Sequence, residues 1–269
     1  MRYGVWTPLP HTIRPEPLMD EAIAESGTRG LARGPDKAFR FAADMIRRGE
    51  ELGFETTLIA ERWMGTDHSA WMLASALAAL TSRIELMVAV HPGIMTPQAV
   101  AKLAVSLDRI SGGRAAINVV NGWWKEEFET FGHGWQPQDD DARYRRMDEF
   151  VRVLRGLWQE DVFDFHGEFY TVDGQGLPLK SVQLPHPPIY AGTRNQLEEH
   201  GKTIANRVAF IAAKALGPGL VGTPEQIADR IRRYEAAGVG TLMMHFHPMM
   251  EGMERFAGRV MPLLGRKAA

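Results

Sequence analysis

The chain has 269 residues, 45% of them hydrophobic and 24% charged, with a formal net charge of -2 and no cysteine. That length is close to the roughly 250 residues of one (β/α)8 barrel, and the composition is that of an ordinary globular protein. The lack of cysteine excludes disulfides, thiolate metal sites and a cysteine nucleophile, and the balanced charge leaves no footprint for nucleic acid or an anionic membrane.

Short apolar runs alternate with amphipathic segments from the start. Tyr3–Trp6 is predicted as a first strand, followed by a helix over Ala38–Leu52 whose stripe is Ala42, Met45, Ile46, Gly49 and Leu52. Thr56–Ala60 is a second strand, Ala70–Leu80 a helix and Ile84–Val90 a third strand. Thr96 then caps a helix with Pro97 at its first position. Val100, Leu103, Ala104, Leu107 and Ile110 are expected on one buried face of it. Gly112-Gly113 turns the chain into Ala115–Val120, a buried strand with one polar residue, Asn118, inside the run.

A long helix, Arg143–Trp158, carries the stripe Met147, Phe150, Val151, Leu154, Leu157 and Trp158. After it, Val162–Phe165 and Glu168–Thr171 read as a hairpin around a two-residue His166-Gly167 turn, and a proline-containing loop runs from Leu177 to Pro188. Pro188–Thr193 restores a barrel strand, Val208–Ala212 is another, and Gly240–Phe246 is the last, preceded by a helix over Thr223–Ala237. Near-continuous apolar strands alternating with helices mean a parallel sheet covered by helices. We count seven strands. An eighth βα unit takes roughly 30 residues, and the stretch between about Asn206 and Gly222 is too short for it. The expectation is one α/β domain over 1–269, a (β/α)8 barrel short of one βα unit after residue 206, with a hairpin insertion at about 161–187. The N-terminal Met1–Pro8 has no apolar signal region, and the longest apolar run, Leu73–Leu80, is far too short to span a bilayer. A cytoplasmic location is expected.

Catalytic groups in barrels gather at the carboxyl ends of the strands. Asn118 sits near such an end, and its amide can donate to and accept from the edge of a planar heteroaromatic ring. The alternative is a buried Asn bonded to a neighbouring strand, slightly favoured on sequence alone. Arg143 and Tyr144 open a helix, where a guanidinium, a phenol and backbone amides can bind phosphate. The alternative there is that Arg143, Arg145 and Arg146 pair with Asp139, Asp140 and Asp141. Gly192-Thr193-Arg194 follows a strand and forms a second plausible anion nest. His11, His68 and His91 follow strands one, two and three, which brings all three to one barrel face. His245 and His247 point to one side of a strand but lack a third ligand, so no metal site is expected. Trp6, Trp63, Trp123 and Trp124 lie at or after strand ends and could wall a flat cofactor or an apolar substrate.

Taken together, the motifs Leu107-Asp-Arg-Ile-Ser-Gly-Gly-Arg114, Asn118-Val-Val-Asn-Gly-Trp123, Glu126-Glu-Phe128, Arg143-Tyr-Arg-Arg, Leu154-Arg-Gly-Leu-Trp158 and Val221-Gly-Thr-Pro-Glu225 resemble the bacterial luciferase-like flavin monooxygenases. Arg143-Tyr-Arg-Arg-Met-Asp-Glu-Phe150 with Phe165-His-Gly-Glu-Phe-Tyr170 is most similar to the dimethylsulfone and alkanesulfonate branch. The resemblance implies a barrel that uses reduced FMN and O2, through a C4a-peroxyflavin, to oxidise a small sulfone or sulfonate with C–S cleavage. It implies that Asn118 and Glu127 contact the flavin and that Glu61 and Arg62 line its pocket. Arg143, Tyr144, Gly192, Thr193 and Arg194 would hold its phosphate; Arg194 stands where the branch often has serine. His11, His68 and His91 become acid–base candidates, and Trp6 and Trp124 would pack on ring or substrate. A separate NAD(P)H-dependent flavin reductase and a homodimer or homotetramer are implied as well. The same resemblance implies that relatives are longer between the strand near Ala209 and Val221, where part of the substrate lid would lie. A deazaflavin-dependent oxidoreductase and a non-catalytic flavin-binding or structural subunit remain the two alternatives.

Overall fold

The computed structural model describes residues 1–10, 37–122, 124–134, 140–174, 176–191, 208–210 and 220–266, with side chains undescribed at 140 and 208–210. Seven strands, β1 (Arg2–Trp6), β2 (Thr56–Ile59), β3 (Glu85–Val90), β4 (Ala115–Val119), β7 (Ile189–Ala191), β8 (Val208–Phe210) and β9 (Thr241–Met244), make one sheet. Its order is β7-β4-β3-β2-β1-β9-β8, and every pair is parallel. The last strand thus lies beside the first, and β1 to β4 follow one another in one direction. That is the order of a barrel and not of a doubly wound sheet, where the direction reverses. The seven strands are the seven expected from the apolar runs. Among the described residues no strand joins the outer edges of β7 and β8.

The helices cover the outer face. In α1 (Lys37–Glu51) the buried residues Ala38, Ala42, Ala43, Met45, Ile46 and Gly49 form the stripe that periodicity required. In α3 (Pro97–Ser111), which follows α2 (Ala70–Leu80), Thr96 Oγ1 accepts from the Ala99 amide at 3.3 Å. Gly112 stops that helix at φ 71°, a left-handed conformation in which glycine has no Cβ penalty. One expectation fails here: Ile110 is 63% exposed, because the helix turns Val105, Asp108 and Ser111 inward instead. Asp108 takes the place of an apolar contact and accepts from the amides of Val182 (2.6 Å) and Gln183 (3.1 Å) and from Gln183 Nε2 (2.6 Å). This carboxylate clasps the proline-containing loop to the barrel.

Two helices were not anticipated, the seven-residue α4 (Lys125–Phe131) and α7 (Met249–Arg259). Between them run α5 (Asp140–Gln159), with its predicted stripe buried, and α6 (Pro224–Ala236), closed by a Thr223–Gln226 capping box. The insertion is a hairpin of β5 (Phe165–His166) and β6 (Thr171–Val172), but its turn is four residues, not two. The cause is Glu149 on α5, whose carboxylate accepts from the amides of Glu168 (2.7 Å), Phe169 (2.9 Å) and Tyr170 (3.2 Å) and so holds the turn open around itself. No helix among the described residues is long and apolar enough to cross a membrane.

Alternation divides each strand between two layers. Tyr3, Val5, Ile59, Leu86, Val88, Ile117 and Leu242 face the helices. Leu58, Met87, Ala89, Ala116 and Met243 face inward, with Trp6 and Tyr190 packed on them. At the amino end of the strands the interior is closed by Arg2, whose guanidinium lies 3.3 Å from Glu85 Oε1 and donates to Tyr190 Oη at 3.3 Å. The interior is tight: a Cβ on Gly4 would fall 2.6 Å from Thr56 Cγ2 and against Met243 Sδ. Replacing Gly4 by Ala is therefore expected to lower stability by about 1–3 kcal/mol through overpacking, read as a shifted urea midpoint; an unchanged midpoint would contradict this close approach.

Candidate active site

The carboxyl ends of β2, β3 and β4 bring five polar side chains to one rim. Glu61, 4% exposed, follows β2 and turns back to accept from the Ala70 amide at 3.1 Å and Ser69 Oγ at 3.5 Å. It caps α2 from the strand side, where the Ser69 side chain makes no capping bond. Glu127, 1% exposed, comes from α4 on the opposite side of the same loop. Its Oε1 accepts from the amides of Trp63 (2.9 Å) and Met64 (3.4 Å), and its Oε2 lies 3.5 Å from Arg62 Nη1. Two buried carboxylates therefore fix both ends of the loop between β2 and α2, and the observed work of Glu127 is to hold that loop.

His91 follows β3 and is 4% exposed, with Nδ1 buried and unpartnered. Its ring meets Phe128 edge-on at 6.3 Å. Gly122, at φ 67°, lets the chain pass over both rings; a Cβ there would fall 2.6 Å from Phe128 and 3.1 Å from His91. Asn118, 3% exposed, pairs through its backbone with Ala89 and Tyr190. Among the described residues its side chain makes no hydrogen bond, so the reading of an Asn satisfied by a neighbouring strand is not what the fold shows. Its amide atoms are not among the enclosed polar atoms left without a partner, so they reach space that a ligand or water can fill.

Arg143, half-buried on the first turn of α5, donates to the Gly122 carbonyl at 3.3 Å. That contact places its guanidinium over the loop that leaves β4, four residues from Asn118, so about 14 Å separates them along the chain at most. The other two arginines of the motif reach the hairpin and the loop after β3. Arg145 binds Glu168 of the hairpin at 2.9 and 3.1 Å. Arg146 is buried, stacks on Phe169 at 4.9 Å and approaches Gly93 in the loop after β3. The hairpin and α5 are locked together, and α5 supplies cations to the rim.

Of the other predicted site residues, Tyr144 is half-buried on the first turn of α5, His68 half-buried ahead of α2, and Trp124 half-buried at the N-cap of α4. Trp6 lies on the inner layer. His11, Trp123, Gly192, Thr193 and Arg194 lie outside the described residues. Sequence reasoning missed Gly122, Phe128 and Arg146. The Gly122 signal was available in Asn121-Gly122, a dipeptide that favours a positive φ; the Phe128 and Arg146 contacts are non-local and left no trace. Among the described residues no cluster of His, Asp or Glu could hold a metal ion.

Burial sets the charges. It pushes the Glu61 carboxyl up to about 7 against the lowering effect of the Ala70 amide and Ser69, with Asp67 and Glu127 adding to the rise. Burial pushes the His91 imidazole down to about 4, and the Arg62 guanidinium lowers it further. Near neutral pH His91 is an uncharged group with a bare ring nitrogen, suited to a neutral ligand edge.

Comparison with known proteins bears on what this rim holds. Residues 19–199 match the family described as Luciferase-like monooxygenase. An "FMNH(2)-dependent dimethylsulfone monooxygenase" of Pseudomonas putida is 38% identical over 165 residues, 60% of this chain; the chain spans 44% of that relative's length. The protein of the same description from Pseudomonas fluorescens (strain Pf0-1) is 37% identical over 315 residues, 82% of this chain and 85% of the relative. Since 82% of 269 residues is about 221, about 94 positions of that alignment lie opposite nothing in this chain. The monooxygenase RslO1 from Streptomyces bottropensis shares the fold, with a TM-score of 0.70 at 20% identity, covering 98% of this chain and all of that one.

The two shifted groups at the rim oppose each other in pH. Glu61 is protonated more readily in the folded state, so its contribution is lost as pH rises from about 4.5 to about 7. His91 is protonated more readily in the unfolded state, so stability is lost as pH falls from about 6.5 to about 4. Between these limits the slopes cancel. Glu61→Gln is expected to leave a stability that climbs with pH, and His91→Gln one that declines, each measured by urea unfolding from about pH 4.5 to 7. Parallel pH profiles in the two variants would refute the assignment.

Proposed function

This chain belongs to the luciferase-like monooxygenase family, and from that membership we propose that it is an FMN-dependent monooxygenase acting on a small sulfone or sulfonate. The observation that carries the reading is the meeting on one rim of the Asn118 amide, which makes no hydrogen bond among the described residues, with the enclosed His91 Nδ1 and the Arg143 guanidinium at the Gly122 carbonyl. A planar heterocycle with donors and acceptors on one edge satisfies the first two, and a phosphate suits the third.

In this assignment Asn118 orients the flavin ring, and Arg143 and Tyr144 hold its phosphate at the start of α5. Gly192, Thr193 and Arg194 are assigned to the phosphate from the family resemblance alone. Glu127 acts one step removed: it fixes Trp63 and Met64, and with them Arg62, so that the pocket wall is in place before the cofactor arrives. Glu61 secures the other end of that wall through α2. His91, uncharged and pressed against Phe128, presents a ring nitrogen without drawing water into the site. His68, ahead of α2, is a proton-handling candidate, His11 is given that role from the family resemblance alone, and Trp124 at the start of α4 is proposed to pack against the substrate.

Bound reduced FMN supplies two electrons to O2, so that one oxygen atom enters the substrate and the other leaves as water. Because the flavin must arrive reduced, an NAD(P)H-dependent flavin reductase is the proposed partner. The test is incubation with dimethylsulfone, isotopically labelled O2 and photoreduced FMN. One labelled oxygen is expected in the organic product, with none formed from oxidised FMN alone. A chain that binds no flavin would fit a structural subunit instead, and one that binds deazaflavin alone would fit a hydride-transfer enzyme.

A further inference from the structure

Helix α5 reaches the rim with two arginines from one face, Arg143 and Arg146, spaced three residues apart. Arg143 donates to the Gly122 carbonyl in the loop after β4. Arg146 goes instead to the loop after β3. Its side chain is buried, with Nη1 2.7 Å and Cδ 3.5 Å from the point that a Gly93 Cβ would occupy.

Gly93 sits inside a closed turn. The His91 carbonyl accepts from the amides of Ile94 (3.1 Å) and Met95 (3.3 Å), and Gly93 between them has φ 96°. From the side of α4, the His133 amide donates to the Gly93 carbonyl at 2.8 Å, and Phe128 Cε1 lies 3.5 Å from the same Cβ point. Arg146 closes the other side. Only Pro92 separates Gly93 from His91, and a proline fixes its own φ and restricts the residue before it. A shift at Gly93 is therefore passed on to His91 and not absorbed by the link. The Phe128 ring that touches Gly93 also meets His91 edge-on at 6.3 Å.

Arg146 is itself placed by the hairpin insertion. Its guanidinium lies 4.9 Å over the Phe169 ring, and the Phe169 amide donates to Glu149 on the same face of α5 at 2.9 Å. A flat guanidinium stacks on a ring face in a way that an ammonium does not. One line of contacts thus runs from Phe169 through Arg146 and Gly93 to His91.

We propose that Arg146 is a positioning residue for the flavin site: clamped by Phe169, it fixes the Gly93 turn and with it the place of the His91 ring. The inference deepens the monooxygenase reading and rests on it for what His91 meets, though not for the clamp itself. Two arginines of one helix then serve the two ends of the site, Arg143 the phosphate and Arg146 the ring.

The test is diethylpyrocarbonate labelling of the full chain at about pH 7, where uncharged imidazoles react, with each histidine resolved by fragment mass spectrometry. Arg146→Met, Arg146→Lys and Phe169→Leu should each label His91 about threefold faster than the wild type, or more, the scale of one stacked cation lost. His186, half-buried against Trp158 in the proline-containing loop, should label at its wild-type rate. Joining Arg146→Met to Phe169→Leu should add little, because both break one clamp. An unchanged His91 in all three variants, an equal rise at His186, or full additivity overturns the proposal. Fluorescence titration then separates positioning from direct contact. Arg146→Met should weaken FMN and riboflavin alike, by roughly fivefold for one misplaced hydrogen bond. A loss confined to FMN would make Arg146 a phosphate ligand and contradict the positioning role. A wild-type chain that binds neither compound refutes the flavin reading, while the labelling still decides the clamp.

Discussion

Parallel pairing of β1 to β4 and β9 puts the carboxyl end of every one of these strands on a single rim, and that constraint generates the site. A strand buried on both faces must be apolar along its length. Charged and titratable groups therefore enter mainly where strands end, and they enter together. Glu61, His91, Asn118 and His245 are separated by long stretches of sequence but occupy equivalent places at strand ends. The opposite end is closed by Arg2, Glu85 and Tyr190, so the interior has one open side.

The rim is also built to hold its shape without a ligand. Glu127 satisfies two backbone amides of the β2–α2 loop and Glu149 satisfies three in the hairpin turn, while at the opposite end of the strands Asp108 satisfies two in the proline-containing loop. Each carboxylate belongs to a helix and each amide to a loop, so rigid elements fix the mobile ones. Charge-assisted bonds of this kind are worth roughly twice a neutral one. The shortened segment between β7 and the final βα unit falls on the far side of the sheet order from β2 and β3.

How much of this was readable in the sequence depends on whether a feature is local. The seven strands were legible because each is a short apolar run between turn signals, and Asn118 stood out because it broke one. The caps at Thr96 and Thr223 were legible for the same reason. Helix α4 was not, since Lys-Glu-Glu-Phe-Glu-Thr-Phe is short and mostly polar, and its buried face amounts to Glu127 and Phe128. The pairing of Arg145 with Glu168 and of Arg146 with Phe169 requires the hairpin to fold onto α5, which no spacing encodes. Ile110 satisfied the helical period and is nevertheless exposed, because Asp108 and Ser111 took the inward positions to bind backbone.

The central claim is that Asn118 and Arg143 grip the two ends of one flavin mononucleotide. Fluorescence titration with FMN and with riboflavin, which lacks the phosphate, tests it in two variants. Asn118→Leu should weaken both ligands alike, by about tenfold for a buried hydrogen-bonding amide lost. Arg143→Met should weaken FMN while leaving riboflavin unchanged. Equal effects of Arg143→Met on the two ligands, or none from Asn118→Leu, would contradict the account.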